Sequence, residues 1–302
     1  MSVLVVGSLA FDTIETPFGK VDKILGGSAV YFSVAASFFT EVFLVGVVGK
    51  DFREDHVNIL RGRGIDLRGL KQKEGKTFHW EGNYGYDLNE ARTLKTKLNV
   101  FENFSPDIPE AYRDLEYVFL ANIDPELQLR VLKQVRKPKV VALDTMNFWI
   151  ENKLGALKET IKLVDILIIN EAEARELAKE YNLVKAARTI SSFGPKTLII
   201  KQGTYGALLF TDSSIFSAPA YPLEVTLDPT GAGDSFAGGF MGYLARCQNL
   251  HDAGFRQAII FGSVMASFCV EQFSVERLRA LTDQEIASRF TEFLNLTCFK
   301  EI

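Results

Sequence analysis

The sequence predicts a doubly wound α/β protein, a mainly parallel sheet flanked by helices, on three observations. Six short runs rich in Val, Ile and Leu recur along the 302 residues as continuous apolar stretches, the pattern of strands buried on both faces. Segments of helical period separate them, so the connections are right-handed crossovers between parallel strands. Polar residues stand directly after the runs, at the carboxyl ends of the strands, where an open parallel sheet binds its ligands.

In chain order, SVLVVG at 2–7 is the first strand, GGSAVYFSVAASFF at 26–39 a helix behind a glycine turn, and EVFLVGVVG at 41–49 the next strand. Residues 71–104 break the alternation, because aromatic and polar residues alternate there around turn signals at Gly82-Asn83 and Gly85. They predict a small antiparallel sheet inserted into the core, joined by residues 12–20 and placed to act as a lid. Four more buried strands follow at 116–121, 139–144, 165–170 and 196–201. After the third of these, EAEARELA is a helix that Asn170 caps while Glu173 returns the bond, and QGTYG at 202–206 is a hairpin turn. YPLEVTL at 221–227 reads as strand-like, DPTGAGDSFAGGF opens a helix that runs to Arg246, and Phe255, Ala258, Ile259, Gly262, Met265 and Cys269 trace a last core-facing helix.

With 47% hydrophobic and 24% charged residues, the chain supports one large core, so residues 1–302 read as a single domain with the lid as an insertion. A net charge of -4 without a Lys/Arg run offers no footprint for nucleic acid. No apolar run reaches the roughly 18 residues of a membrane span, and no signal-peptide pattern opens the chain. These features predict a cytoplasmic protein. Cys247, Cys269 and Cys298 form no CxxC pair, and His56, His79 and His251 have no HExxH spacing, so neither zinc nor a disulfide is expected.

The polar rim comprises Ser8 to Asp12, Asn122 and Asp124, Asp144 and Asn147, Asn170 to Glu173, and Lys201 to Gly206. Each has an ordinary explanation alone; Asp144 can simply end a strand, and Asn170 can simply cap. Their convergence on one sheet edge points to a ligand. The stretch from Asp228 sharpens it, since Pro229 halts regular structure and Gly231-Ala232-Gly233 leave a bare turn at a helix start. Unpaired N–H groups and the positive dipole end there form an anion site without basic side chains. Asp234, in the first turn, is expected to be ionised by the same dipole and to serve as a general base beside it. No GxxxxGK[ST] motif occurs, and Phe236 spoils the dinucleotide fingerprint, which disfavours a dehydrogenase reading.

DPTGAGDSFAGGFM strongly resembles the carboxyl-terminal signature of the ribokinase-like (PfkB) carbohydrate kinases, and VVGSLAFD, Gly26-Gly27, the inserted sheet, NEAE at 170–173 and KQGTYGA at 201–207 extend the resemblance over most of the chain. It implies a ribokinase-like fold and ATP-dependent transfer of the γ-phosphoryl group to a hydroxyl of a sugar or sugar derivative. Asp234 would be the base and Gly231, Ala232 and Gly233 the anion hole. Asp12, Gly26 and Gly27, with Tyr31, Trp80 and Asn122, would hold the acceptor. Asn170, Lys201, Gly203, Gly206 and Ser263 would border ATP, and Glu173 would order Mg2+ indirectly. A monovalent cation, K+, would lie by Asp228 and the backbone of Thr230. Read from its residues alone, the inserted sheet is equally a surface excursion or a homodimer contact, a role that can coexist with that of a lid.

Two departures stand out. Val30 and Tyr31 occupy positions after the glycine pair where the family carries an asparagine, and Ser274 replaces a glycine common in the late loop. A nucleoside kinase of the same fold is the alternative, because Phe78, Trp80, Tyr84 and Tyr86 give the insertion faces that stack on a base. A sensor that binds sugar or nucleotide without catalysis is a distant third, disfavoured by the intact Asp234.

Overall fold

A computed structural model describes residues 1–298. In chain order its strands are β1 (Ser2–Val6), β2 (Ala10–Thr16), β3 (Gly19–Gly26), β4 (Glu41–Gly49), β5 (Asp66–Lys73), β6 (Phe78–Tyr84), β7 (Ala91–Lys97), β8 (Tyr117–Leu120), β9 (Val140–Asp144), β10 (Ile166–Asn170), β11 (Thr197–Lys201), β12 (Ala207–Phe210) and β13 (Ile215–Ala218). All six apolar runs become strands of one nine-stranded sheet, ordered β13-β12-β11-β10-β9-β8-β1-β4-β5. From β11 to β5 every pairing is parallel, and β12 and β13 return antiparallel at the far edge.

Alternate residues of each buried strand face two different helix layers, which is why the runs carry no polar alternation. Val3 and Val5 of β1 belong to the core under helices Ser28–Ala36, Ala232–Cys247 and Asp252–Cys269. Leu4 and Val6 belong to the opposite core, under helices Pro125–Leu132, Leu154–Ile161 and Leu183–Ser191. The chain winds outward from β1 through β4 to β5, then returns to β8 on the other side of β1. That reversal is the crevice in which such sheets bind ligands.

The second sheet has four strands in the order β3-β2-β6-β7, so it spans 10–26 and 78–97. Its extent differs from the expected 12–20 and 71–104. The start of the latter segment belongs to β5, which pairs parallel with β4 as the edge of the main sheet and carries Lys71 and Lys73 there, as exposed edges do. The small sheet is also mixed rather than antiparallel, since β2 and β6 run parallel. YPLEVTL forms no strand: Pro222 interrupts it, and only the N–H of Leu227, at its end, reaches a backbone partner, Val270 O. Among the described residues no helix is long and apolar enough to cross a membrane.

Candidate active site

Three neighbouring strands deliver the charged centre. In the sheet register Ile168 lies beside Asp144 and Asn170 beside Lys201, so the ends of β9, β10 and β11 form one row. Lys201 Nζ stands 3.4 Å from Asp144 Oδ2, with both side chains largely buried. The expected capping box is present: Asn170 Oδ1 accepts from Glu173 N at 2.8 Å, and Asn170 N donates to Glu173 Oε2 at 2.7 Å. The cap also serves the site, because it fixes the buried Glu173 carboxylate against Asp144 and Lys201.

The glycine turn approaches from the other side. Gly231 adopts φ +77°, a left-handed conformation that favours glycine, and caps helix Ala232–Cys247. A Cβ on Gly233 would lie 2.9 Å from Lys201 Nζ, so the turn and the ammonium are in contact. Of the three residues expected to form an anion hole, Ala232 already donates its N–H to Pro229 O at 3.1 Å. The N–H groups of Gly231, Gly233 and Asp234 donate to no backbone acceptor.

Burial dominates the electrostatics. Burial first and then the Asp144 charge push Asp234 up to about 7, with Lys201 opposing. The helix dipole contributes at most about 1 kcal/mol at an exposed end, too little to keep Asp234 fully ionised at neutral pH as the local reading expected. Glu173 is pushed up to about 7 by burial and by Asp144. Burial lowers Lys201, but Asp144, Glu173 and Asp234 together outweigh it and hold the ammonium above its ordinary range.

Asp12 anchors the acceptor side. A Cβ on Gly26 would lie 1.8 Å from Asp12 Oδ2, so only glycine lets the carboxylate rest there, and the Gly27 backbone bonds to it. Burial, then Asp228 and Asp234, push Asp12 up to about 8. On the same face of the small sheet, Trp80 pairs in register with Asp12, and its indole packs on Gly82, whose Cβ would be 2.3 Å from the ring. Tyr84, two residues on, accepts from Thr230 Oγ1 at 3.1 Å, and Thr16 Oγ1 donates to Leu227 O at 2.9 Å. These bonds seat the sheet over the loop that leads into the glycine turn.

The remaining expected residues are placed less centrally. Gly203 and Gly206 bound the turn between β11 and β12, as expected. Asn122 Oδ1 accepts from Trp149 Nε1 at 3.0 Å, and Ser263 is nearly buried on helix Asp252–Cys269 with no hydrogen bond to the Gly203–Gly206 turn. Tyr31 is 1% exposed and its ring packs against Gly231. Ser274 occupies φ +60°, which explains why glycine suits the position, and its hydroxyl compensates by donating to Leu25 O. Asp144 enters the sequence reading only as one member of the polar rim, and Asn89 does not enter it. Asn89, at the tip of the small sheet, is held by Asp87 and accepts from Thr204 N at 3.3 Å.

Among the described residues no group of three His, Cys, Asp or Glu side chains is disposed to chelate a metal alone. Three carboxylates, Asp144, Glu173 and Asp234, nevertheless face one ammonium. That negative excess fits a magnesium ion held mainly through phosphate and water. Asp228 is fully buried, receives Thr230 N at 2.9 Å and pairs with no basic side chain among the described residues, which fits a monovalent cation.

The raised proton affinities of these carboxyls make stability depend on pH. Asp12, Asp234 and Glu173 keep protons in the folded chain that ordinary carboxyls release near 4 in the unfolded chain. Folding therefore takes up protons, so their contribution is lost as pH rises from about 4 through about 8. Thermal melts without ligands should shift upward between pH 8 and pH 6; a melting temperature that falls over that interval would contradict the assignment.

The family profile described as pfkB family carbohydrate kinase matches residues 2–279. The chain is 30% identical over 258 residues to the cytidine kinase of Thermococcus kodakarensis, covering 83% of this chain and 91% of that protein. It is 26% identical over 287 residues to the nucleoside kinase of Methanothermobacter thermautotrophicus, covering 89% of each. The crystal structure of the aminoimidazole riboside kinase from Salmonella enterica, in complex with aminoimidazole riboside and an ATP analog, superimposes with a TM-score of 0.77 at 20% identity, covering 96% of this chain and 100% of that one.

Proposed function

The chain belongs to the pfkB family of carbohydrate kinases, ATP-dependent phosphotransferases that act on a hydroxyl of a sugar or sugar derivative, and on that premise we propose that its acceptor is a nucleoside, phosphorylated on its hydroxymethyl group. The carrying observation is the aromatic face of the small sheet. Trp80 packs on Gly82, in register with Asp12 and on the strand that carries Tyr84, which offers a ring surface where a free sugar would need hydrogen-bonding partners. The similarity to a cytidine kinase and a nucleoside kinase supports the same choice.

Each residue then has a task. Asp12, seated on Gly26 and bonded to Gly27, orients the acceptor hydroxyls. Asp234 takes the proton of the attacking hydroxyl as that oxygen bonds to the γ-phosphorus and the bond to the β-phosphate oxygen breaks. The N–H groups of Gly233 and Asp234 steady the transferring group, and Lys201 offsets its charge. The Gly203–Gly206 turn borders the nucleotide, and Asn170 and Glu173 order its phosphates. Magnesium, held through the phosphates near Glu173, supplies charge neutralisation when bound. Potassium beside Asp228 and Thr230 completes the proposed set of ions, and the cytoplasm, where ATP is available, is the proposed compartment.

A panel of nucleosides and free pentoses and hexoses, assayed with ATP and magnesium, tests the acceptor. Turnover of at least one nucleoside with kcat/KM about 10²-fold above every free sugar is expected, since loss of a base contact should cost several kcal/mol. Efficient turnover of a free sugar and none of a nucleoside would reject the proposal. The same assay with potassium replaced by tetramethylammonium reads the monovalent site.

A further inference from the structure

We propose that Tyr31 is a positioning residue for phosphoryl transfer, its ring forming the floor on which the Gly231 turn rests and so holding the N–H groups of Gly233 and Asp234 in place. The inference rests on reading residues 231–234 as the anion-binding turn. Tyr31 belongs to the wholly buried helix Ser28–Ala36, whose N-cap is Gly27 of the acceptor turn. One side chain thus spans from the element that seats Asp12 to the element that carries Asp234.

The contact is direct. A Cβ on Gly231 would fall 2.3 Å from Cγ and Cδ1 of the Tyr31 ring and 2.5 Å from Cδ2, so the ring lies face-on against the Gly231 Cα. Gly231 has no side chain to anchor the left-handed turn; hydrogen bonds hold its neighbours, Thr230 to Asp228 and Tyr84 and Ala232 N to Pro229 O, and Ser235 N donates to Gly231 O. The Tyr31 ring supplies the side-chain packing at Gly231 itself. A misplacement of about 1 Å at such donors is enough to cost on the order of 10²-fold in rate.

The hydroxyl has a different status. Tyr31 Oη is buried with no protein hydrogen-bond partner, in the neighbourhood of Asp12 and Asp228. A buried, unpartnered hydroxyl disfavours the folded state, so the hydroxyl is not what stabilises the turn. This separates the ring from the polar group experimentally.

Steady-state kinetics of the full-length enzyme on its best acceptor provide the test. Tyr31→Leu should lower kcat about 10²-fold while KM for ATP and for the acceptor stays within about threefold, with a cooperative melt showing that the chain folds. Tyr31→Phe should restore most of that kcat and melt at or above the wild-type temperature. If Tyr31→Leu fails to fold, Tyr31→Met takes its place with the same expectation. Wild-type kcat in Tyr31→Leu overturns the inference. So does Tyr31→Phe as impaired as Tyr31→Leu, which transfers the role to the hydroxyl, and so does a raised acceptor KM at unchanged kcat, which makes Tyr31 an acceptor contact. Gly233→Ala distinguishes the two levels: if it retains full kcat, the anion-turn reading itself fails, whereas an impaired Gly233→Ala beside a normal Tyr31→Leu removes only the role of Tyr31.

Discussion

Asp234→Asn is expected to lower kcat on the order of 10²-fold to 10⁴-fold, the range for loss of a positioned general base, with KM for ATP and acceptor little changed. The carboxylate is half-buried in the first turn of helix Ala232–Cys247, beside N–H groups that no backbone acceptor takes. Asparagine keeps the shape and loses the proton acceptor, so the deficit should fall on the transition state and lower kcat and kcat/KM together. Folding provides the control. Asp234 is pushed up to about 7 by burial and Asp144, so at pH 8 the wild-type chain buries an ionised group that the variant lacks. The variant should therefore melt at or above the wild-type temperature, with the larger gain at pH 8 than at pH 5. A variant that is stable and retains near-normal kcat would remove Asp234 from the role of base.

The parts of this molecule that were legible in the sequence share a physical cause. Strands buried on both faces must be apolar throughout, so β1, β4 and β8 to β11 announced themselves as unbroken runs. β5, DLRGLKQK, did not, because an edge strand faces solvent along one side and carries charge there. YPLEVTL misled in the opposite sense: its β-prone residues had no neighbouring strand to pair with. The capping box of Asn170 and Glu173 was readable because both halves are local.

The charged centre was only half readable. Asp144 and Lys201 are 57 residues apart in the chain and meet only because β9, β10 and β11 are adjacent in the sheet. Until that order is known, Asp144 is one polar residue at one strand end. The protonation of Asp234 was misjudged for a related reason. A dipole at a helix start is a local feature that spacing reveals, whereas burial under Lys201, Asp144 and Glu173 is a tertiary one that outweighs it. Tyr31 shows the same limit, since its place after the glycine pair says nothing of its packing against Gly231, which lies far along the chain.

Replacing Lys201 with methionine should have the second large effect, on stability and rate together. Lys201 is the ammonium that faces Asp144, Glu173 and Asp234, and it stands 3.4 Å from Asp144. Removing one partner of a buried pair leaves the other uncompensated, which typically costs about 3–5 kcal/mol. The sign of the pH dependence follows from the carboxyls left behind. Without the ammonium their folded-state affinities for protons rise further above the unfolded value, so more of the stability present at low pH is lost as pH rises. The difference in melting temperature between wild type and Lys201→Met should therefore be small near pH 5 and large at pH 8. The rate profile must move in step. Asp234 acts as a base only when ionised, so in the wild type kcat/KM for the acceptor should rise with pH through about 7, and in Lys201→Met that rising limb should shift to higher pH. At pH 7 the variant should lose on the order of 10²-fold or more in kcat/KM, because the charge developing on the transferring phosphoryl group has also lost its nearest cation. A rising limb that stays in place while the rate falls would mean that Lys201 serves phosphate alone and does not govern the protonation of Asp234.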